Sequence, residues 1–282
     1  MTNAFWYNLL FTQNHASPFH HVVILHKKND FMHFPVSIQI GNIHILLHSI
    51  FEAAGFFTGF RYFLHLRKKQ GDIIEQNNRV WIIIGATFGA LAGSRLVGGL
   101  EDVPAMLRAS NKLFYFYQNK TVVGGFLGGL FGVEFCKKLI GEKDASGDLF
   151  TYPIILALII GRVGCFSMGV YEETYGLPTA LPWGMNLGDG VARHPVTLYE
   201  IGFLMLLLLL LVTAEKKFVL ANGAKFKLFM IAYLFFRFVL DFIKPHYTFS
   251  FGLSTIQVAC LAGLAYYGRY IVKPYLLLRH EK

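Results

Sequence analysis

The sequence predicts an all-α integral membrane protein with about seven transmembrane helices, the N-terminus outside and the C-terminus in the cytoplasm. Three observations carry that expectation. Of 282 residues, 54% are hydrophobic and only 15% charged, against about 25% charged in soluble domains; the mean hydropathy is +0.46. Apolar windows of roughly 20 residues, the length a helix needs to cross a bilayer, recur along the chain. Lysine and arginine also fall unevenly between the connections. In so apolar a chain the net charge of +9 reads as cytoplasmic loop charge, not as a nucleic-acid surface. Cys136, Cys165 and Cys260 lie far apart in apolar surroundings, which argues against a disulfide framework and a sequence-clustered zinc site. Neither metal nor cofactor is expected.

The windows cover residues 43–66, 80–100, 122–140, 150–169, 196–214, 228–243 and 253–272. The fifth contains the unbroken run 204–211; the third is diluted by glycine, and the sixth is interrupted by Arg237 and Asp241. One set of connections holds fifteen Lys and Arg and the opposite set seven, with Arg61, Arg95, Arg162 and Arg237 inside spans. The richer set belongs in the cytoplasm. Residues 1–20 lack a basic start and a long apolar core, so no cleavable signal peptide is expected. The aromatic stretch 5–11 reads equally as an interfacial segment or a tail. Residues 1–282 form one expected domain, with an external segment 1–42 and an external loop 170–195.

Gly85, Gly89 and Gly93 recur every fourth residue in the second window, and Gly124, Gly128 and Gly132 in the third, with Gly125 and Gly129 beside them. Glycine at that spacing lets helix backbones approach closely. The same smooth faces would also suit a groove for a lipid, and spacing alone does not choose.

Arginine inside a membrane helix costs about 2.5–3.5 kcal/mol on insertion scales and so marks a candidate site. Arg95, Arg162 and Arg237 all fall toward the expected external half, whereas Arg61 sits near a cytoplasmic end, where its head can snorkel. Arg237 and Asp241 are four apart and able to pair. Guanidiniums offer planar, bidentate donors to phosphate oxygens, so three that converged would hold an anionic headgroup. After the loop come Arg193, His194 and Pro195, then Tyr199 and Glu200 one turn into the next span. His44 and His48, four apart, put two imidazoles on one face if the first span is helical there; with no third ligand near in sequence, polar helix contacts explain them better than a metal.

The string Gly161-Arg162-Val163-Gly164-Cys165-Phe166, then residues 175–179, 181–184, Arg193-His194-Pro195 and Leu198-Tyr199-Glu200, resembles the signature of the prolipoprotein diacylglyceryl transferase family. The likeness extends to Phe34-Pro35 with Ile40-Gly41, Gly85 through Leu96, Phe236-Arg237 with Asp241-Phe242, and Ser254 with Gln257. It implies a multi-pass enzyme of the bacterial cytoplasmic (inner) membrane. Such an enzyme moves the diacylglyceryl group of phosphatidylglycerol onto the lipobox cysteine of a secreted lipoprotein precursor, forming a thioether. By that resemblance Arg162 and Arg237 hold the lipid phosphate, with Arg95 as a third cation, and Tyr199 and Glu200 shape the pocket. Arg193, Cys165 and Asp241 complete the candidate substrate-binding set, Cys165 standing where the family commonly has asparagine. Leu127 occupies the place of a histidine usual before the third span's Gly-Gly, and His48 that of a first-span tyrosine. His194 and His48 are the candidate replacements for the missing base. These departures leave two other readings open: a related transferase with another acceptor, and a non-catalytic lipid-binding membrane protein.

Overall fold

The computed structural model describes residues 33–40 and 43–278. An antiparallel hairpin comes first, β1 (Ser37–Ile40) and β2 (Ile43–Leu46), with Ser37 opposite Leu46. Ile43 and Ile45 alternate with His44, a pattern that suits a strand. Helix α1 (Leu47–Gln70) therefore starts four residues later than the first apolar window, and His44 is an exposed strand residue. The paired imidazole face expected for His44 and His48 does not form. Arg67, Lys68 and Lys69 occupy the last turn of α1, where cations suit the helix C-terminus.

Helix α2 (Gln76–Gly99) leads to two short helices, α3 (Val103–Arg108) and α4 (Lys112–Gln118). Asp102 and Asn111 cap these by accepting from Ala105 N and Phe114 N. Next come α5 (Val122–Ile140), ended by Gly141 at φ 74°, and α6 (Asp148–Met168). The loop beyond α6 carries a small ribbon, β3 (Met185–Asn186) with β4 (Ala192–Arg193). Then follow α7 (Val196–Lys217), α8 (Ala224–Leu240), α9 (Thr255–Tyr266) and α10 (Gly268–Val272). The last apolar window is thus divided at Tyr267. Its start is a capping box: Ser254 Oγ accepts from Gln257 N, and Gln257 Oε1 accepts from Ser254 N. The aromatic stretch 5–11 and Gly41 lie outside the described residues.

Among the described residues, three helical segments are by length and composition apolar enough to cross a membrane: Gln76–Gly99, Asp148–Tyr171 and Val196–Lys217. Helix α7 shows what this means for the surface. Leu204, Leu207 and Leu211 are buried, while Met205, Leu206, Leu209 and Leu210 are exposed. A helix apolar on both faces needs a partner inside and an apolar solvent outside.

Between such helices, close approach replaces the hydrophobic effect as the source of attraction. α2 lies along α5 and α1 along α6. A Cβ added to Gly85, Gly89 or Gly93 would strike the carbonyl oxygen of Gly132, Gly128 or Gly124 respectively. The two glycine triplets are therefore one helix–helix seam. Gly55 and Gly59 play the same part for α1: a Cβ on Gly55 would lie 2.9 Å from Ala157 O. Gly125 and Gly129 face a cavity instead, so the two readings of the glycine pattern apply to different glycines. The buried core fills the space between α5, α6, α7, α8 and α9, with Val123, Ile155, Leu204, Phe229, Tyr233, Leu234 and Ile256 at its centre.

Overpacking a tight site costs about 1–3 kcal/mol or more. Gly89→Leu should destabilise the protein by at least about that amount, read as a fall in its unfolding midpoint in detergent. Gly202→Ala, where an added Cβ meets nothing within 4 Å, should leave it unchanged or raise it slightly.

Candidate active site

A cavity of about 1530 Å³ opens between α1, α2, α5 and α6 and reaches the starts of α7 and the ends of α8. That exceeds the usual range of about 300–1,000 Å³ for small-molecule pockets. Its middle is apolar, with Phe63, Ile82, Phe126, Leu130, Ile154 and Leu158 on the wall. Charged side chains gather at two places: where α1 and α7 begin and α2, α6 and α8 end, and at the far side, where Glu134 and Lys137 of late α5, Lys143, Lys227 of early α8 and Arg269 line the wall.

Glu200, in the second turn of α7, is buried at the first of these places. Arg162 Nε, from late α6, lies 2.8 Å from Glu200 Oε2. Arg237, from the end of α8, donates from Nη1 to the same oxygen at 3.0 Å. Tyr233, one turn before Arg237, donates its hydroxyl proton to Glu200 Oε1 at 2.7 Å. Two guanidiniums thus share one carboxylate. Arg162, Glu200 and Arg237 all line the cavity.

The expected pairing of Arg237 with Asp241 does not occur. Although four apart in sequence, Asp241 already lies in the turn that ends α8, and it accepts from the Ser254 hydroxyl. His246 Nδ1 stands 3.7 Å from its Oδ2. Arg95 also lines the cavity but stands apart from Glu200, its guanidinium 5.0 Å from the centre of the Tyr117 ring.

His194 and Tyr199 form a separate group. Trp183 Nε1–H donates to the Tyr199 hydroxyl at 2.8 Å, and His194 Nδ1 lies 3.2 Å from the same oxygen. Arg193 ties the external ribbon together through Asp189, with Nε donating to Oδ2 at 2.8 Å, and packs on the Tyr175 ring. Burial would raise the Asp189 carboxyl, but the hydrogen bond and charge of Arg193 hold it below the ordinary carboxylate range. The cavity wall holds Val196, Thr197 and Glu200 from this part of the chain; Arg193, His194 and Tyr199 brace the loop above it.

Beside Arg162 the wall continues through Cys165, Glu172 and His48. Arg162 Nη1 donates to Cys165 Sγ at 3.4 Å, and Cys165 Sγ lies 3.9 Å from Glu172 Oε1. Glu172 Oε2 is 3.3 Å from His48 Nδ1, and His48 Nε2 is 3.6 Å from Glu52 Oε2. Donor atoms of His48, Cys165 and Glu172 fall within 4.8 Å of one another, a set with the composition of a small-cation site. The guanidinium already resting on the sulfur supplies positive charge there, and Coulomb repulsion at such distances opposes a divalent ion. Where α2 and α8 end, Glu101 and Lys244 also face the cavity. Burial pushes the Glu101 carboxyl up, and burial together with Arg237 pushes the Lys244 ammonium down.

Tyr233, Glu52, Glu172 and Lys244 were not among the residues picked out from the sequence. Two carried a usable signal, since Tyr233 precedes Arg237 by four residues and Glu52 follows His48 by four. Glu172 reaches the site through the fold of the external loop, which no local pattern announces. Leu127 packs against the core, its Cδ2 beside Leu234 over Gly263.

Fold and site together define an α-helical membrane protein with a charged chamber opening onto an apolar one. The chain belongs to the prolipoprotein diacylglyceryl transferase family, whose model matches residues 35–272. A phosphatidylglycerol–prolipoprotein diacylglyceryl transferase from Nitratidesulfovibrio vulgaris (strain DP4) is 29% identical over 264 residues, covering 85% of this chain and 94% of its own. The protein of that name from Bordetella parapertussis is 32% identical over 224 residues, 74% of this chain and 82% of its own. Its counterpart from Cupriavidus metallidurans is 30% identical over 241 residues, with coverages of 80% and 85%.

Removing one partner of a buried ion pair costs about 3–5 kcal/mol because the other charge is left stranded. Glu200→Gln should therefore destabilise the protein by that order, read as a fall in the detergent unfolding midpoint. Tyr233→Phe, which deletes one hydrogen bond to a charged acceptor, should cost about 1.5–3 kcal/mol.

Proposed function

We propose that this protein transfers the diacylglyceryl group of phosphatidylglycerol onto the lipobox cysteine thiol of a secreted lipoprotein precursor, in the bacterial cytoplasmic membrane. One observation carries the reading: Arg162 and Arg237 converge on the single carboxylate of Glu200 at one end of a cavity with an apolar middle. A phospholipid has the matching division, with two apolar chains and one anionic phosphate. The family membership and the names of the relatives support the same reaction.

The chemistry follows from that charge distribution. The thiol sulfur attacks the glyceryl carbon attached to phosphate oxygen. A C–S bond forms as the C–O bond breaks, and glycerol phosphate departs carrying the electron pair. Negative charge grows on the bridging oxygen where water is scarce, and fixed guanidiniums stabilise such charge without reorganising. Glu200 holds both arginines in place before the lipid arrives. Cys165, Asp241 and Tyr199 act around this centre, Cys165 by packing against Arg162, the other two by holding the ends of α8 and α7. Arg95 lies along the cavity as a further cation for the headgroup. In this reading the chain crosses the bilayer seven times, with the N-terminal segment and residues 170–195 outside, so that the arginine cluster faces the secreted substrate.

Purified protein incubated with phosphatidylglycerol and a lipobox peptide should add the diacylglyceryl mass to the cysteine and release glycerol phosphate. Loss of one charge stabiliser typically costs about 10²–10³ in kcat, so Arg162→Ala and Arg237→Ala should each reduce turnover by at least that factor. Lipid turnover without peptide modification would favour another acceptor. Saturable lipid binding with neither product would favour a non-catalytic protein.

A further inference from the structure

The thiol must lose a proton to become a nucleophile, and Arg162, Arg237 and Glu200, locked in one ion-pair cluster, cannot take it. Among the described residues, His48 is the only histidine on the cavity wall. It stands in the first turn of α1, at the same end as Arg162 and linked to it by the unbroken run of contacts through Glu172 and Cys165. The two faces of its ring differ. Nδ1 is buried and faces the equally buried Glu172 Oε2 at 3.3 Å, a close polar contact that is not aligned as a hydrogen bond. The carboxylate's charge at that distance favours the proton on Nδ1 and leaves Nε2 with the lone pair. Nε2 faces Glu52 at 3.6 Å, beyond hydrogen-bond reach, and the Glu52 side chain is 43% exposed and engaged with Lys120, Nζ to Oε1 3.1 Å. The Nε2 lone pair is therefore the one turned toward the space a substrate would fill.

We propose that His48 is the general base of the transfer reaction, oriented by the charge of Glu172, with Nδ1–H turned toward the carboxylate and Nε2 accepting the thiol proton. The assignment rests on the transferase reading above and adds the proton's path to it. As the S–H proton moves to Nε2, the sulfur pair forms the C–S bond, and the C–O pair leaves with glycerol phosphate beside Arg162 and Arg237. The imidazolium so formed is stabilised by Glu172 and returns its proton to the departing phosphate or to water. A nucleophile's proton acceptor held by a third group is a recurrent arrangement. Here the nucleophile belongs to the substrate, so the protein needs only the other two members. Glu172 is a positioning residue.

The experiment uses two lipobox peptides, one with cysteine and one with selenocysteine at the acceptor position, the selenol being ionised at neutral pH without help. General bases contribute about 10²–10⁴-fold. His48→Gln should lower kcat on the cysteine peptide by at least about a hundredfold, leave the KM for phosphatidylglycerol near the wild-type value, and recover most of its rate on the selenocysteine peptide. Glu172→Gln, a change at a more exposed side chain, should show the same pattern at smaller size. Retained binding of fluorescent phosphatidylglycerol identifies folded variants. Wild-type turnover by folded His48→Gln, or an equal loss on both peptides, overturns the assignment while leaving the transferase reading intact. Wild-type protein that modifies neither peptide overturns the transferase reading, and this assignment with it.

Discussion

The architecture turns on the sharing of Glu200 by Arg162 and Arg237. Three helices each bring one charged group to a buried point, and none is tolerable there alone. A lone guanidinium or carboxylate away from water carries a desolvation cost of several kcal/mol. With Tyr233 on the second oxygen, the carboxylate is hydrogen-bonded or ion-paired on both sides. The same contacts fix how α6, α7 and α8 meet at this end of the cavity.

The glycine seams serve the cavity from the other side. Because α2 and α5 touch backbone to backbone through Gly85, Gly89, Gly93 and their partners, their remaining faces turn toward the open space. Gly125 and Gly129, one residue past the seam, then make a wall with little side chain on it. A tight contact on one face of a helix and a wide gap on the next come from the same short stretch of sequence. The gap's apolar middle suits acyl chains, and one of its polar ends meets the arginine cluster.

Much of the helical order was legible before any coordinates. Windows of apolar residues located α2, α5, α6, α7 and α8 to within a few residues, because length and hydropathy are local properties. The misreadings had local causes too. Residues 43–46 are apolar enough for a span, yet their alternation with His44 draws them into a hairpin, and Tyr267 divides the final window. Arg237 and Asp241 keep helical spacing, with Asp241 N–H donating to Arg237 O, but their side chains take other partners, Glu200 for the arginine and Ser254 for the aspartate.

The amino-acid sequence alone determined the class of solvent, the family likeness carried by residues 161–166 and 193–200, and the arginines to look at. These are read from composition, spacing and order, which need no knowledge of distant contacts. Only the tertiary structure decided that Arg162 and Arg237 share Glu200, that His194 braces a loop away from the cavity wall, and that Glu172 reaches His48. The ion pairs among them join residues 37 to 124 positions apart in sequence. Which charges neutralise one another in a low-dielectric interior is set by that meeting, and a linear pattern holds no record of it.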